Sequence, residues 1–114
     1  MDIEELKKFG IDGPDEGIFI IVLCSKWCRS CKLFTTILEQ IRDEGIIKLK
    51  IVDIGESSKL AQELKINAIP ALIIFKDGKL LNKNIKLYGE LIVNKGITIG
   101  SFNEEILKEI INQI

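Results

Sequence analysis

The 114-residue sequence predicts an α/β domain in which helices flank a central mixed β-sheet. Residues 18–24 are a continuous apolar run, as expected of a central strand that is buried on both faces. A helix is predicted next, because apolar residues then recur at i, i+3, i+4 and i+7: Phe34, Ile37, Leu38 and Ile41. Residues 71–75 form another strand-like segment, and the Asp77-Gly78 pair after it is a strong hairpin turn. Strands that alternate with helices and end in a hairpin indicate a mixed sheet.

Two helices are predicted around the central strand. Residues 2–9 have the pattern of a short amphipathic helix, and residues 11–17 have the composition of a loop. The helix that follows the central strand extends to about Glu44, where Gly45 provides a stop. No strand-like run precedes residue 18.

Residues 46–52 predict a second strand, at an edge of the sheet. Lys48 and Lys50 point to one side of this segment, and lysines of this kind discourage pairing with other chains. A serine at position 57 or 58 can then cap a short helix that reaches Lys65.

The C-terminal part predicts a strand from about Lys79, a turn at residues 94–96 and a last helix. Ser101 and Glu104 have the spacing of a capping box, in which each side chain bonds the backbone N–H of the other residue. The apolar stripe of this helix consists of Phe102, Ile106, Ile110 and Ile114.

Composition excludes several classes of function. Lysine and arginine together number 16 and aspartate and glutamate 17, and the charges are interspersed, which argues against a nucleic-acid patch or a basic membrane anchor. Histidine is absent, so no Cys–His or Ser–His nucleophile pair and no histidine metal ligand is available.

The length of the chain predicts a single domain, residues 1–114. The acidic N-terminus does not look like a signal peptide, and no apolar stretch reaches the roughly 18 residues of a membrane span, so we expect a cytoplasmic protein.

The segment Trp27-Cys28-Arg29-Ser30-Cys31-Lys32 lies where the predicted central strand meets the predicted helix. Residues i and i+3 share a helix face, with Cβ atoms roughly 5–6 Å apart, so the two sulfurs can come within bonding range. The first cysteine lies at the positive end of the helix, where unpaired N–H groups stabilise a thiolate. Cys28 is therefore the predicted attacking thiolate, and Cys31 the thiol that resolves the mixed disulfide.

The residues around the cysteine pair suggest a docking surface. Lys26, Arg29 and Lys32 add positive charge near Cys28. Trp27 either belongs to the core or rims the site, where its ring gives a substrate a flat apolar contact. Cys24 is expected to be buried as a small apolar residue, and a regulatory disulfide is the alternative.

No metal or other cofactor is expected. Tetrahedral zinc needs four ligands, whereas the chain has three cysteines and no histidine. An iron–sulfur cluster meets the same shortage, and either site would require two chains.

At this point the sequence resembles the thioredoxin family. The resemblance rests on Trp27-Cys28-x-x-Cys31-Lys32, on Ile69-Pro70 with the strand and turn at residues 71–78, and on Gly100 before a capped last helix. It implies a thioredoxin-like fold and a cis bond between Ile69 and Pro70; the alternative is that Pro70 merely opens the strand. It also implies that a substrate docks on residues around the cysteines: Lys26, Trp27, Arg29, Ser30, Ile69 and Pro70.

The sequence departs from the family pattern in several places. Val22 occupies the position of the family's usual buried aspartate, and Ile51 that of the lysine that often partners it. Arg29-Ser30 replaces the common Gly-Pro, and the charge of Arg29 is expected to favour a Cys28 thiolate and a more oxidising pair. The family's N-terminal strand is missing, and residues 79–100 are longer than the family's hairpin. We predict an extra strand or hairpin there, which either covers apolar surface or binds a partner.

The resemblance implies a thiol–disulfide oxidoreductase that acts on disulfide-containing proteins, without nucleic acid or membrane partners, as a monomer. A thioredoxin-reductase-like enzyme or another thiol reductant would recycle it. Alternatives are an oxidase or isomerase, an electron carrier dedicated to one partner, a glutaredoxin-like enzyme that uses glutathione, and a binding module that acts through residues 79–100.

Overall fold

The computed structural model describes residues 1–114. Its helices are α1 (Ile3–Leu6), α2 (Arg29–Asp43), α3 (Lys59–Glu63) and α4 (Glu104–Asn112), with a 3₁₀ turn at Lys7–Phe9. Its strands are β1 (Ile18–Cys24), β2 (Lys48–Asp53), β3 (Ala71–Lys76), β4 (Lys79–Leu80), β5 (Ile85–Leu87), β6 (Glu90–Val93) and β7 (Ile97–Ile99). No helix is both long enough and apolar enough to cross a membrane.

The main sheet is mixed, as predicted. Strand β1 lies in its centre, pairs in parallel with β2 and pairs antiparallel with β3. Strand β2 is an edge strand, which confirms the prediction from its lysines. The first element of the chain is α1 rather than a strand, and the backbone of the N-terminus bonds to the sheet beside β4, from Leu80 N to Met1 O (2.8 Å) and from Ile3 N to Gly78 O (2.9 Å).

Strand β1 divides the core into two layers, because its side chains alternate between the two faces of the sheet. Ile20, Val22 and Cys24 pack with residues of α2 and α4, while Phe19, Ile21 and Leu23 pack with residues of α1 and α3. All six are buried. Since burial of one such aliphatic or aromatic side chain contributes about 1.5–3 kcal/mol, this strand anchors both layers and fixes the position of its C-terminal end, where the cysteines follow.

The fourth strand of the sheet is divided into β4 and β7, which pair with the same strand, β3. A continuation of the β3–β4 register would pair Ile73 with residue 82, but Ile73 pairs with Ile97, 15 residues further on. The intervening residues form the separate antiparallel pair β5–β6. The extra hairpin predicted for residues 79–100 is therefore present, and it covers apolar surface: Ile85, Leu87 and Val93 are buried in the layer of α2 and α4.

Gly96 lies where the chain returns from the β5–β6 hairpin to the main sheet. Its φ is +84°, and a Cβ there would lie 2.5 Å from the carbonyl oxygen of Leu81. Gly89 has a similar φ of +80°, with nothing within 4 Å of a Cβ.

We expect Gly96→Ala to lower the free energy of unfolding by about 2–5 kcal/mol, because the added methyl group clashes with Leu81 and a non-glycine residue is strained in the left-handed conformation. Gly89→Ala should lose only about 1 kcal/mol. Urea denaturation measures both, and equal losses would contradict the close approach at Gly96.

The start of the last helix corrects one prediction. Asn103, not Ser101, is the N-cap of α4, and its Oδ1 accepts a hydrogen bond from Ile106 N at 2.9 Å. The predicted stripe is only partly right, since Leu107, Ile110 and Ile111 are the buried residues of the helix. Ile106 is half-buried, and Phe102 and Ile114, which are also half-buried, lie outside the bounds of the helix.

The short helix α3 is also shorter than predicted. It ends at Glu63, before Lys65 adopts a left-handed conformation with φ 57°. Ser58 is its N-cap residue but makes no side-chain bond to the backbone. Its hydroxyl instead accepts a hydrogen bond from the Gln62 side chain at 3.1 Å.

Candidate active site at the start of helix α2

The two cysteines of the C-x-x-C segment occupy different environments at the N-terminus of α2. After β1 the chain makes a turn in which Cys28 N donates to Ser25 O at 3.0 Å, and Cys28 becomes the N-cap residue of the helix. Cys28 is half-buried, whereas Cys31, one turn into the helix, is only 2% exposed. One sulfur is therefore accessible to a large molecule and the other is covered by the protein.

The pKa of the Cys28 thiol is lowered, chiefly by hydrogen bonding from the Ser30 hydroxyl, which lies 3.2 Å from Cys28 Sγ. The Cys31 thiol is the next cause, and the backbone N–H groups of Cys31 and Ser30 at the helix N-terminus add to it. The charge of Arg29, which was expected to favour the thiolate, is not the main cause of the lowered Cys28 pKa. Hydrogen bonds aimed at the sulfur outweigh exposed cations such as Lys26 and Arg29, because water screens their charge.

Replacement of Ser30 tests this arrangement. In Ser30→Ala the pKa of Cys28 should rise towards that of an ordinary thiol, because the largest stabilising contact of the thiolate is lost. We expect the rate of alkylation at neutral pH to fall severalfold, and to recover at alkaline pH where the thiol ionises without help. Iodoacetamide modification followed over pH measures the change. Thr36→Ala, which removes an exposed hydroxyl from the outer side of the same helix, is the control, and an equal effect in both variants would rule out the role of Ser30.

The Cys31 thiol has the opposite tendency. Burial raises its pKa, while a hydrogen bond from Cys24 and the backbone of Ser25 partly counteract the rise. Cys24 is buried as predicted, and burial raises the pKa of its own thiol, so Cys24 remains protonated. The Cys24 and Cys31 side chains belong to the same buried cluster.

The loop before β3 reaches the same end of the sheet. Leu23 pairs with Ala71, so a continuation of this register by one residue places Pro70 opposite Cys24. The Ile69–Pro70 peptide bond is cis, the isomer that the resemblance implies. Pro70 O accepts from Gly100 N at 2.8 Å, whereas neither the N–H nor the carbonyl of Ile69 pairs with another backbone group. Pro70 is buried and Ile69 half-buried.

The other predicted docking residues lie on the surface around Cys28. Lys26, Arg29 and Ser30 are exposed, and the Trp27 side chain is 86% exposed. Trp27 is therefore not a core residue. Trp27 directly precedes the half-buried Cys28, and its exposed indole offers a large flat apolar contact.

Comparison with known proteins agrees with this geometry. The sequence model of the thioredoxin family matches residues 7–96. The chain belongs to the thioredoxin family. It is 34% identical to a thioredoxin of Chlamydia trachomatis over 77 residues, which are 67% of this chain and 76% of that one. It is also 32% identical to a thioredoxin of Bacillus subtilis over 72 residues, 61% of this chain and 69% of that one.

Solved thioredoxin structures share the fold. A thioredoxin variant from Halobacterium salinarum superposes with a TM-score of 0.66 at 20% identity, and covers 87% of this chain and 75% of its own. Thioredoxin-2 of the malaria parasite gives a TM-score of 0.70 at 17% identity, with 91% and 89% coverage. Family membership indicates thiol–disulfide oxidoreductase chemistry in general.

Two features of this site were not predicted from the sequence. Ser30 was predicted to contact substrate, but its hydroxyl also lies 3.2 Å from the Cys28 sulfur. Asp53, the last residue of β2, lines a cavity together with Cys24 and Cys31. The available signal was positional, because Asp53 ends the strand that runs parallel to β1, and parallel neighbours present their C-terminal residues at the same edge of a sheet.

Proposed function

We propose that this protein is a thiol–disulfide oxidoreductase in which Cys28 attacks a protein disulfide and Cys31 resolves the resulting mixed disulfide. The observation that carries the proposal is the opposite tuning of two thiols one helical turn apart. The half-buried Cys28 has a lowered pKa, and the buried Cys31 has a raised one. Cys28 can thus react as a thiolate at the surface, while Cys31 is held as a protonated, buried thiol one turn along the helix.

The reaction consists of two exchanges. The Cys28 thiolate attacks one sulfur of the substrate disulfide, and the other substrate sulfur leaves as a thiolate that takes up a proton. Cys31 then loses its proton and attacks Cys28 Sγ, so that the Cys28–Cys31 disulfide forms and the second substrate thiol is released. The substrate gains two electrons, which the cysteine pair loses. A thioredoxin-reductase-like enzyme or another thiol reductant returns them.

The surface around Cys28 supports docking of an extended segment of the substrate. The unpaired N–H and carbonyl of Ile69 are available for the backbone bonds of strand addition, and Pro70 has no N–H to leave unsatisfied. Trp27 supplies an apolar contact next to the nucleophile. Lys26, Arg29 and Ser30 then contact the substrate at the rim.

The proposal is tested by the rate at which dithiothreitol reduces a disulfide-linked protein, with and without catalytic amounts of this protein. We expect a rate that rises in proportion to the amount of wild-type protein. The double variant Cys28→Ser/Cys31→Ser should give only the rate of dithiothreitol alone. Equal rates for the wild type and the double variant would refute the proposal.

A partner-binding role for the β5–β6 hairpin is the second candidate. It is favoured by two exposed apolar side chains on the hairpin, Tyr88 (82% exposed) and Leu91 (48% exposed). If the hairpin carries the function, the double variant Cys28→Ser/Cys31→Ser would keep the function of the protein and Tyr88→Ser would lose it. Under the first proposal, the double variant loses the function and Tyr88→Ser keeps it.

A further inference from the structure

Cys31 needs a proton acceptor that its immediate surroundings do not provide. This requirement follows from the proposed function, in which the buried thiol must ionise before it attacks Cys28. The core beneath it is apolar, and includes Val22, Phe34 and Leu72. Hydrocarbon side chains cannot accept a proton, and an isolated thiolate in such surroundings is costly.

We propose that Asp53 accepts the proton of Cys31 through water in the cavity that both residues line. The cavity has a volume of about 270 Å³ and reaches Cys31 although that residue is only 2% exposed. One water occupies roughly 30 Å³ in the liquid, so several can connect the two groups.

The position of Asp53 fits this role. Asp53 pairs with Cys24 in the parallel β1–β2 register, so both side chains lie on the face of the sheet that carries α2. Oδ1 of Asp53 accepts from Gly55 N at 2.7 Å, which orients the carboxylate, and Oδ2 has no protein partner. One carboxylate oxygen therefore remains free to accept a proton or a hydrogen bond from water.

The other ionisable groups around the cavity do not replace Asp53. They are Cys24 from β1, Lys26 from the turn and Lys32 from α2, with Cys28 beyond Cys31. The two lysines are cations with no capacity to accept a proton. Burial raises the pKa of Cys24, so its thiol stays protonated and does not take up the proton of Cys31. Asp53 is the carboxylate in this set.

The proton follows a balanced route in each half of the cycle. When Cys31 attacks the mixed disulfide, its proton passes through water to the Asp53 carboxylate, the Cys31–Cys28 bond forms, and the bond from Cys28 to the substrate breaks. Asp53 then releases this proton to solvent. When a thiol reductant later reduces the pair, Asp53 takes up a proton from solvent and passes it through the water to the departing Cys31 thiolate.

The test is a rapid-quench experiment on the reduced protein with a disulfide-linked peptide, in which acid stops the reaction and mass spectrometry counts the mixed disulfide. Its formation reports the attack by Cys28, and hence the proposed function. Its decay reports Cys31 alone, and hence the role of Asp53. For Asp53→Asn, which keeps an oxygen acceptor for Gly55 N, we expect unchanged formation but decay that is roughly 100-fold slower at pH 7.

The pH dependence separates this role from a structural one. Decay in Asp53→Asn should recover as pH rises, because hydroxide then removes the proton from Cys31, and Asp53→Glu should restore most of the rate at pH 7. The control Glu56→Gln removes the same charge from an exposed site three residues away that does not line the cavity of Cys24 and Cys31, and should decay like the wild type. Wild-type decay in Asp53→Asn, or the same slowing in Glu56→Gln, would overturn the proposal.

A second variant tests the water route without a change at Asp53. Thr35 lines the cavity and is half-buried, so Thr35→Leu fills part of the space that the waters need. We expect slower decay of the mixed disulfide with unchanged formation. Decay at the wild-type rate in this variant would exclude the cavity as the path of the proton.

Discussion

The variant Cys28→Ser is expected to reduce protein disulfides no faster than the reductant alone. A serine hydroxyl does not ionise near neutral pH, so the contact with Ser30 that lowers the pKa of Cys28 has no thiolate to stabilise. Cys31 cannot substitute for it, since that thiol is buried and burial raises its pKa. Turnover of a disulfide-linked protein with dithiothreitol measures the loss.

A matched control is Thr36→Ser, an equally small change at an exposed position of the same helix, which should retain the wild-type rate. Substantial turnover by Cys28→Ser would mean that another thiol attacks the substrate. Alkylation and peptide mapping of the variant would then identify Cys31 or Cys24 as the reactive residue, and the assignment of the nucleophile would be wrong.

The variant Cys31→Ser, by contrast, should still react with the substrate and should accumulate a covalent complex with it. Cys28 keeps its exposure and most of the hydrogen bonding that lowers its pKa, so the first exchange still takes place. The second cannot, because no thiol remains one turn further along the helix. We expect nearly stoichiometric mixed disulfide on non-reducing electrophoresis, and its release by excess dithiothreitol.

The site of the adduct is the informative part of that experiment. A mixed disulfide that maps to Cys28 supports the assigned order of the two thiols. An adduct on Cys24, or full turnover without any adduct, would contradict it. The double variant Cys28→Ser/Cys31→Ser is the control for other attachment sites, and should form no adduct.

The elements that local patterns define were predictable from the sequence. The apolar run of β1, the helical spacing of α2 and the C-x-x-C pair between them placed the two cysteines at a strand–helix junction. The lysines of β2 likewise identified an edge strand. Each of these signals lies within a single element, so no knowledge of the tertiary arrangement was needed.

Features that depend on distant residues were not predictable in detail. The division of the fourth strand follows from the pairing of β7 with β3, more than 20 residues away in the sequence. The cap of α4 could have been any of several polar residues near Gly100, and in the structure it is Asn103 rather than Ser101.

The electrostatics of the site show the same limit. The sequence pointed to the helix N-terminus, with added charge from Arg29, as what stabilises the Cys28 thiolate, whereas the largest contribution comes from the Ser30 hydroxyl, 3.2 Å from the sulfur. The cavity at Asp53 exists only because two parallel strands end beside the first turn of α2. Neither fact is visible until the elements are assembled.

The most direct test of the redox role is an equilibrium titration of the cysteines against defined thiol–disulfide buffers, with alkylation and mass spectrometry to identify which thiols are oxidised. We expect a reversible two-electron transition between Cys28 and Cys31, with a midpoint between roughly −270 and −120 mV, while Cys24 remains a thiol. A midpoint near −270 mV would indicate a disulfide reductase, and one above roughly −200 mV an oxidase, isomerase or dedicated carrier. The absence of a Cys28–Cys31 disulfide at every buffer ratio would contradict the proposed chemistry.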